Sequence, residues 1–212
     1  MIAIVDYGMG NLRSALRGIE KVGGRARIIQ SPREMIGASA IVLPGDGAFG
    51  QAMVNLRTAG WIEPLKQACA DDMPFLGICV GMQLLFETSE EMGQHAGLGI
   101  LAGEVKRFPA GLKVPQMGWN QLHLQQPNPL LNNVTNDGYA YFVHSYYCAP
   151  RDPSVVIATT DYGLDFASIV AKDNVFGAQF HPEKSQATGL KILENFVRIC
   201  NLYPPVSERK SK

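Results

Sequence analysis

The stretch that most limits the fold runs from Phe75 to Phe86, with Gly77-Ile78-Cys79-Val80-Gly81 at its centre. An apolar run with the character of a buried strand meets Cys79, and a helical pattern begins at once. Strand can pass to helix that abruptly only through a tight turn. Gly77 and Gly81 remove the side chains that would collide as the two close up. The pattern G-x-C-x-G is the cysteine form of a nucleophile elbow, in which the turn lifts Cys79 clear of the sheet. Unpaired N–H groups at the start of the following helix favour thiolate over thiol. The Val80 N–H, next after the nucleophile, is the natural first donor of an oxyanion hole. The competing reading is a core cysteine between two packing glycines, because free cysteine is often buried.

The residues before this turn set the frame. Ile2–Val5, Ala26–Ile29, Ala40–Leu43 and Phe75–Ile78 read as strands. Leu12, Ala15, Leu16, Ile19 and Val22 recur at helical spacing, with Gly23-Gly24 as a stop. Ser31-Pro32-Arg33-Glu34 has the form of a capped helix start, and Trp61, Ile62, Leu65 and Cys69 mark another helix. Strands alternating with helices predict an α/β fold: an open, mostly parallel sheet flanked by helices. Functional loops then belong at the carboxyl ends of the strands, where Asp6–Asn11, Pro44–Gly47 and Cys79 all fall. After Gly97-Leu98-Gly99 the runs become short and β-rich, predicting an antiparallel β extension. Lys172-Asp173-Asn174 reads as a hairpin turn, and Leu190, Leu193, Val197 and Cys200 pattern a closing helix. One domain over 1–203 fits the 212 residues, with 204–212 a flexible, solvated tail.

A cysteine nucleophile needs a base, and the base needs an orienting group. Phe180-His181-Pro182-Glu183 supplies both. Pro182 pushes His181 toward extended backbone, and residues two apart in such a stretch project to one side. Glu183 can therefore hold one imidazole nitrogen while the other faces Cys79, giving a Cys-His-Glu triad. A surface turn closing a strand is the plainer alternative. Pro44-Gly45-Asp46-Gly47, after the third strand, is the candidate source of the second oxyanion donor, from Asp46 or Gly47.

Charge and cysteine usage exclude other classes. Lys plus Arg equals Asp plus Glu at 19 each, which argues against general nucleic-acid binding. Met1–Asp6 reads as a first strand rather than a signal peptide, and no apolar run approaches a membrane span. Cys69, Cys79, Cys148 and Cys200 form no C-x-x-C pair, which fits a reducing, cytoplasmic setting. His95, His123, His144 and His181 make no obvious cluster, so no metal is expected.

These residues carry a resemblance to the class I (triad) glutamine amidotransferases. Gly77–Gln83 and Gln179-Phe180-His181-Pro182-Glu183 match the class motifs. Asp6-Tyr7-Gly8-Met9-Gly10-Asn11-Leu12, Val114–Asn120 and Tyr141–Tyr146 resemble the branch formed by the glutaminase subunits of imidazole glycerol phosphate synthase. The resemblance implies hydrolysis of L-glutamine to glutamate and ammonia, with no cofactor. It implies a heterodimer with a (βα)8-barrel cyclase subunit, to which ammonia passes in histidine biosynthesis. By motif match, Gln83, His144, Ser145 and Tyr146 contact glutamine, while Asn11, Trp119, Asn120, Tyr141 and Lys184 face the partner. Read without the resemblance, Trp119 and Tyr141 are core aromatics, Gln83 an exposed helix residue and Lys184 a solvated charge. A stand-alone cysteine peptidase or deglycase-like enzyme accounts for Cys79 and His181 but not for Gln83 with His144-Ser145-Tyr146. A catalytically silent subunit would have no use for Cys79, His181 and Glu183 together.

One residue departs from the family pattern. Asp46 stands where valine is expected, and a carboxylate beside a developing oxyanion opposes catalysis. Its carboxylate is therefore expected to face away from Cys79 and to accept from N–H groups of Ala48–Gln51, restraining a loop that turns inward when the partner binds.

Overall fold

Ile2–Val5 (β1), Ala26–Ile29 (β2), Ala40–Gly45 (β3) and Phe75–Cys79 (β4) line up in parallel in the computed structural model, which describes residues 1–203. The tail expected over 204–212 lies outside the described residues. The eight-stranded sheet runs in the order β2-β1-β3-β4 and then through Val175–Ala178, Asp165–Lys172, Val156–Asp161 and His123–Leu124. Val175–Ala178 (β14) continues the parallel half beside β4. Asp165–Lys172 (β13), Val156–Asp161 (β12) and His123–Leu124 (β9) complete it as an antiparallel edge. The β13–β14 hairpin turns at Asp173-Asn174, with Lys172 paired to Val175. This is the predicted α/β architecture, parallel first and antiparallel later.

Helices Leu12–Lys21 (α1), Phe49–Thr58 (α2), Ile62–Ala70 (α3) and Gln186–Asn201 (α5) accompany the sheet. β1, β3 and β4 are buried along their whole length. The β-rich middle folds as two further sheets. Phe86–Ser89 (β5), His95–Ala96 (β6), Leu101–Arg107 (β7) and Tyr146–Pro150 (β11) form one. Gln116–Gln121 (β8) and Tyr139–His144 (β10) pair antiparallel as the other.

Three local expectations change. The start at Ser31 leads only to a one-turn 3-10 helix, Pro32–Met35. The Glu34 carboxylate does accept the Ser31 N–H at 3.0 Å, but Gly37, at φ +79°, follows at once and turns the chain. The helix after Cys79 spans only Val80–Gln83 (α4), because Leu84, Leu85 and Phe86 are drawn fully into the core and lead into β5. A single turn carries little macrodipole, so the helix-start contribution expected at Cys79 is small. Pro44 and Gly45, expected in a loop, extend β3, with Gly45 opposite Cys79.

Candidate active site

β4 ends on Cys79 at φ +55°, ψ −114°. A residue with a side chain keeps that left-handed backbone only where its surroundings enforce it. A Cβ on Gly81 would lie 1.8 Å from the Leu43 carbonyl oxygen of β3, and one on Gly77 2.5 Å from the Gly81 carbonyl oxygen. Gly81 thus lets the turn abut β3, and Gly77 lets it close on itself. Both glycines act as the sequence implied.

β14 delivers His181 to the same carboxyl end of the sheet, since β14 runs parallel beside β4. Its backbone is extended before Pro182, at φ −96° and ψ 97°. His181 Nδ1 lies 2.9 Å from Glu183 Oε1, and both side chains are buried. With Nδ1 turned to Glu183, Cys79 is the other group that acts on the ring. Burial alone would lower the pKa of His181. The hydrogen bonds and negative charges of Cys79 and Glu183 outweigh it and raise the value to about 10. The imidazole accordingly keeps its proton at neutral pH beside the sulfur.

Two further groups surround Cys79. Its thiol points toward the Val143 carbonyl at 4.0 Å, and the Gln179 amide donates to the sulfur at 3.9 Å. Gln179 is fully buried. It stands in the class motif but was not among the residues given a role. Gln83 proves buried rather than exposed: its amide nitrogen donates to the Tyr146 carbonyl at 2.9 Å and to Gln179 Oε1 at 3.1 Å. Gln83 therefore organises the wall around Cys79, and both its donors are spent.

A cavity of about 190 Å³ opens beside Cys79, lined also by Asp46, Gly47, Gln83, Glu91 and His144-Ser145-Tyr146, among others. His144 is not a rival base. Burial, with the nearby His181, lowers its pKa to about 4 against a hydrogen bond from Nδ1 to the Tyr146 carbonyl at 2.7 Å. It is a neutral imidazole protonated on Nδ1.

The third-strand segment differs from its expected detail. The Asp46 carboxylate accepts from the adjacent Gly47 N–H at 2.8 Å, not from Ala48–Gln51. The Phe49 N–H is already taken by Glu91 at 2.6 Å, from the β5–β6 connection. Asp46 is not among the hydrogen-bond partners of the Cys79 sulfur. In this conformation the Gly47 N–H is engaged and unavailable to an oxyanion. Glu91 is a site residue that local patterning missed. It reaches both the cavity and the start of α2 from 42 residues away.

The five residues expected to face a partner divide. Trp119 and Tyr141 are directly paired across β8 and β10 and meet edge to face, with ring centroids 5.8 Å apart. Trp119 is 44 % exposed, so the core-aromatic reading fails for it. Met117 and Tyr139, at 64 % and 54 % exposure, extend an apolar surface along the same hairpin. Asn120 is held between Gln116 and the Asp161 carbonyl. Asn11 caps α1, its side chain accepting from the Ser14 N–H at 3.1 Å. Lys184 is exposed one residue beyond Glu183.

The glutamine amidotransferase class-I family model matches residues 3–200. The imidazole glycerol phosphate synthase subunit HisH of Desulfitobacterium hafniense (strain Y51) is 51% identical over 211 residues, covering 100% of both chains. The subunit of the same name from Moorella thermoacetica is 50% identical over 195 residues, 92% of this chain and 93% of that one. Among solved structures, a glutamine amidotransferase superposes with a TM-score of 0.76 at 18% identity, covering 95% of this chain and 100% of the other. PurLQS from Thermotoga maritima does so at 0.72 and 18%, covering 93% and 97%. Those two likenesses speak for the fold, while the family match and the high-identity relatives speak for descent. The chain belongs to the class-I glutamine amidotransferases, and within them to the HisH subunits of imidazole glycerol phosphate synthase.

Proposed function

We propose that Cys79, His181 and Glu183 hydrolyse L-glutamine, and that the ammonia passes to a (βα)8-barrel cyclase subunit making imidazole glycerol phosphate and aminoimidazole carboxamide ribonucleotide. The observation that carries this is the buried His181 ring held by Glu183 on Nδ1, with Cys79 as the other group acting on it. The sulfur attacks the side-chain carboxamide carbon, and the negative charge moves to the amide oxygen. The Val80 N–H is the first donor for that oxyanion, and the Asp46–Gly47 segment is the source of the second. As the C–N bond breaks, His181 gives its proton to the leaving nitrogen, which departs as ammonia. His181 then takes a proton from water, the hydroxide attacks the thioester, and glutamate leaves while the sulfur recovers. Gln179 holds the sulfur, and Glu91 offers negative charge on the cavity wall for the substrate's α-ammonium group.

The raised value for His181 fixes the sign of the pH response. A group raised from 6.5 to about 10 stabilises the fold fully below 6.5, and that contribution is lost as pH rises through about 10. The same loss removes the proton needed by the leaving nitrogen. The kcat of the complex is expected to hold through neutral pH and fall as pH approaches 10. Glu183→Gln, lacking the carboxylate charge, should move that alkaline limb to lower pH. A limb unmoved by Glu183→Gln, followed by glutamate release, speaks against Glu183 as the orienting partner.

The exposed Met117, Trp119 and Tyr139 hairpin supports a docking face for the cyclase. The isolated chain is expected to be a poor glutaminase that the cyclase and its nucleotide substrate stimulate. Ammonia release from glutamine, measured with the purified chain alone and after adding the cyclase, tests this. Full turnover by the chain alone would point to a stand-alone hydrolase.

A further inference from the structure

Ser185 stands at the start of α5, where a serine ordinarily turns its hydroxyl onto an N–H of the first helical turn. It makes no such cap. Its hydroxyl donates to the His181 carbonyl at 2.7 Å and accepts the Tyr141 N–H at 2.9 Å. The residue is fully buried, so neither bond is traded for water. The Tyr141 carbonyl in turn accepts the His181 N–H at 3.1 Å. Both polar backbone groups of Tyr141 are thus committed to the turn that carries His181. The ring of the same tyrosine meets Trp119 on the half-exposed hairpin face.

The rest of the turn is held as tightly. A Cβ on Gly189 of α5 would lie 2.0 Å from the Pro182 carbonyl oxygen, and one on Gly18 of α1 3.0 Å from Glu183 Cβ. These contacts leave the turn little room to slide along α1 or α5. Toward β10 the turn is held by two ties, the His181 N–H on the Tyr141 carbonyl and the Ser185 hydroxyl between His181 and Tyr141.

We propose that Ser185 is a positioning residue, whose hydroxyl ties the His181 backbone to β10 and so couples imidazole placement to the partner-facing Trp119–Tyr141 pair. This rests on the triad reading above. Loss of the hydroxyl leaves the Tyr141 N–H unpaired and the turn tied to β10 by one bond in place of two, which loosens the placement of the ring against Cys79. Displacements of about 1 Å remote from the chemistry can cost about 100-fold in rate. Three ionisable groups face the imidazole: Cys79 from the end of β4, Glu183 from its own turn and His144 from β10. A drifting ring changes its distance to all three.

The test uses the full chain in complex with the cyclase. Ser185→Ala is expected to lower kcat for glutamine hydrolysis by about 10- to 100-fold with KM nearly unchanged. It should also lower the midpoint of the His181 ring titration followed by NMR, and reduce the stimulation produced by the cyclase. Ser185→Thr and Ser185→Val differ from each other only in hydroxyl against methyl, which covers the case of a poorly folded alanine variant. The threonine form should retain the wild-type midpoint and most of kcat, and the valine form should not. If the valine and threonine forms agree in kcat and midpoint, or if Ser185→Ala loses thermal stability alone, the serine is merely structural and the proposal fails. Failure of the triad reading would show separately, as glutamine turnover persisting in Cys79→Ala.

Discussion

Cys79→Ala is expected to abolish glutamine-dependent synthesis by the complex while leaving synthesis from free ammonia intact. Loss of a covalent nucleophile removes a factor of about 10⁴ or more. No neighbouring group replaces it. The other three cysteines are held as thiols: burial raises Cys69 and Cys200 to about 12 and takes Cys148 well above the ordinary range. Among the four cysteines, Cys79 combines the forced elbow conformation with the nearby His181 imidazole and a hydrogen bond from Gln179. A glutamine-mimicking diazoketone should therefore label Cys79 and spare the rest. Mass mapping of the label to Cys69, Cys148 or Cys200 would overturn the assignment, as would glutaminase activity surviving in the alanine variant. Ammonia-dependent turnover serves as the internal control, because it needs the docked subunit to be folded but not to be active.

Asp46→Val should raise basal glutamine hydrolysis by the isolated chain, by about 10-fold, while changing the partner-stimulated rate much less. The Asp46 carboxylate occupies the Gly47 N–H, one of the two N–H groups proposed as the second oxyanion donor. A charge-assisted hydrogen bond contributes about 1.5–3 kcal/mol, and this one is exposed, so the lower end applies. One oxyanion donor is worth about 10²–10³ in rate, which sets the ceiling on the gain. Asp46→Asn keeps a side-chain oxygen as acceptor and should stay near the wild-type basal rate. Initial rates of glutamate formation with and without the cyclase decide the matter. If basal and stimulated rates fall together in the valine variant, Asp46 does not restrain the segment.

Much of the chemistry was legible because it is local. Gly77-Ile78-Cys79-Val80-Gly81 encodes the elbow through steric exclusion within a few residues. His181-Pro182-Glu183 encodes the contact between imidazole and carboxylate because proline restricts the backbone between them. The parallel half of the sheet followed from apolar strands alternating with helical spacing. α2 was harder to see, legible only as a start near Ala48–Gln51. Phe49, Ala52, Met53 and Leu56 do carry a buried helical face, but the residue before the helix is Ala48, and the capping group is Glu91.

What the sequence determined by itself is the strained turn at Cys79, the pairing of His181 with Glu183 and the α/β frame, since each depends on contacts within a turn or on a repeating apolar period. The tertiary structure alone decided what surrounds them. Gln83 became a buried strut through Tyr146 and Gln179, 63 and 96 residues away. Glu91 came to cap α2, and Ser185 gave up its own cap to join His181 to Tyr141. Those bonds form because burial removes water from polar groups that local structure has left unpaired, and each must find whichever partner the packed fold brings within reach.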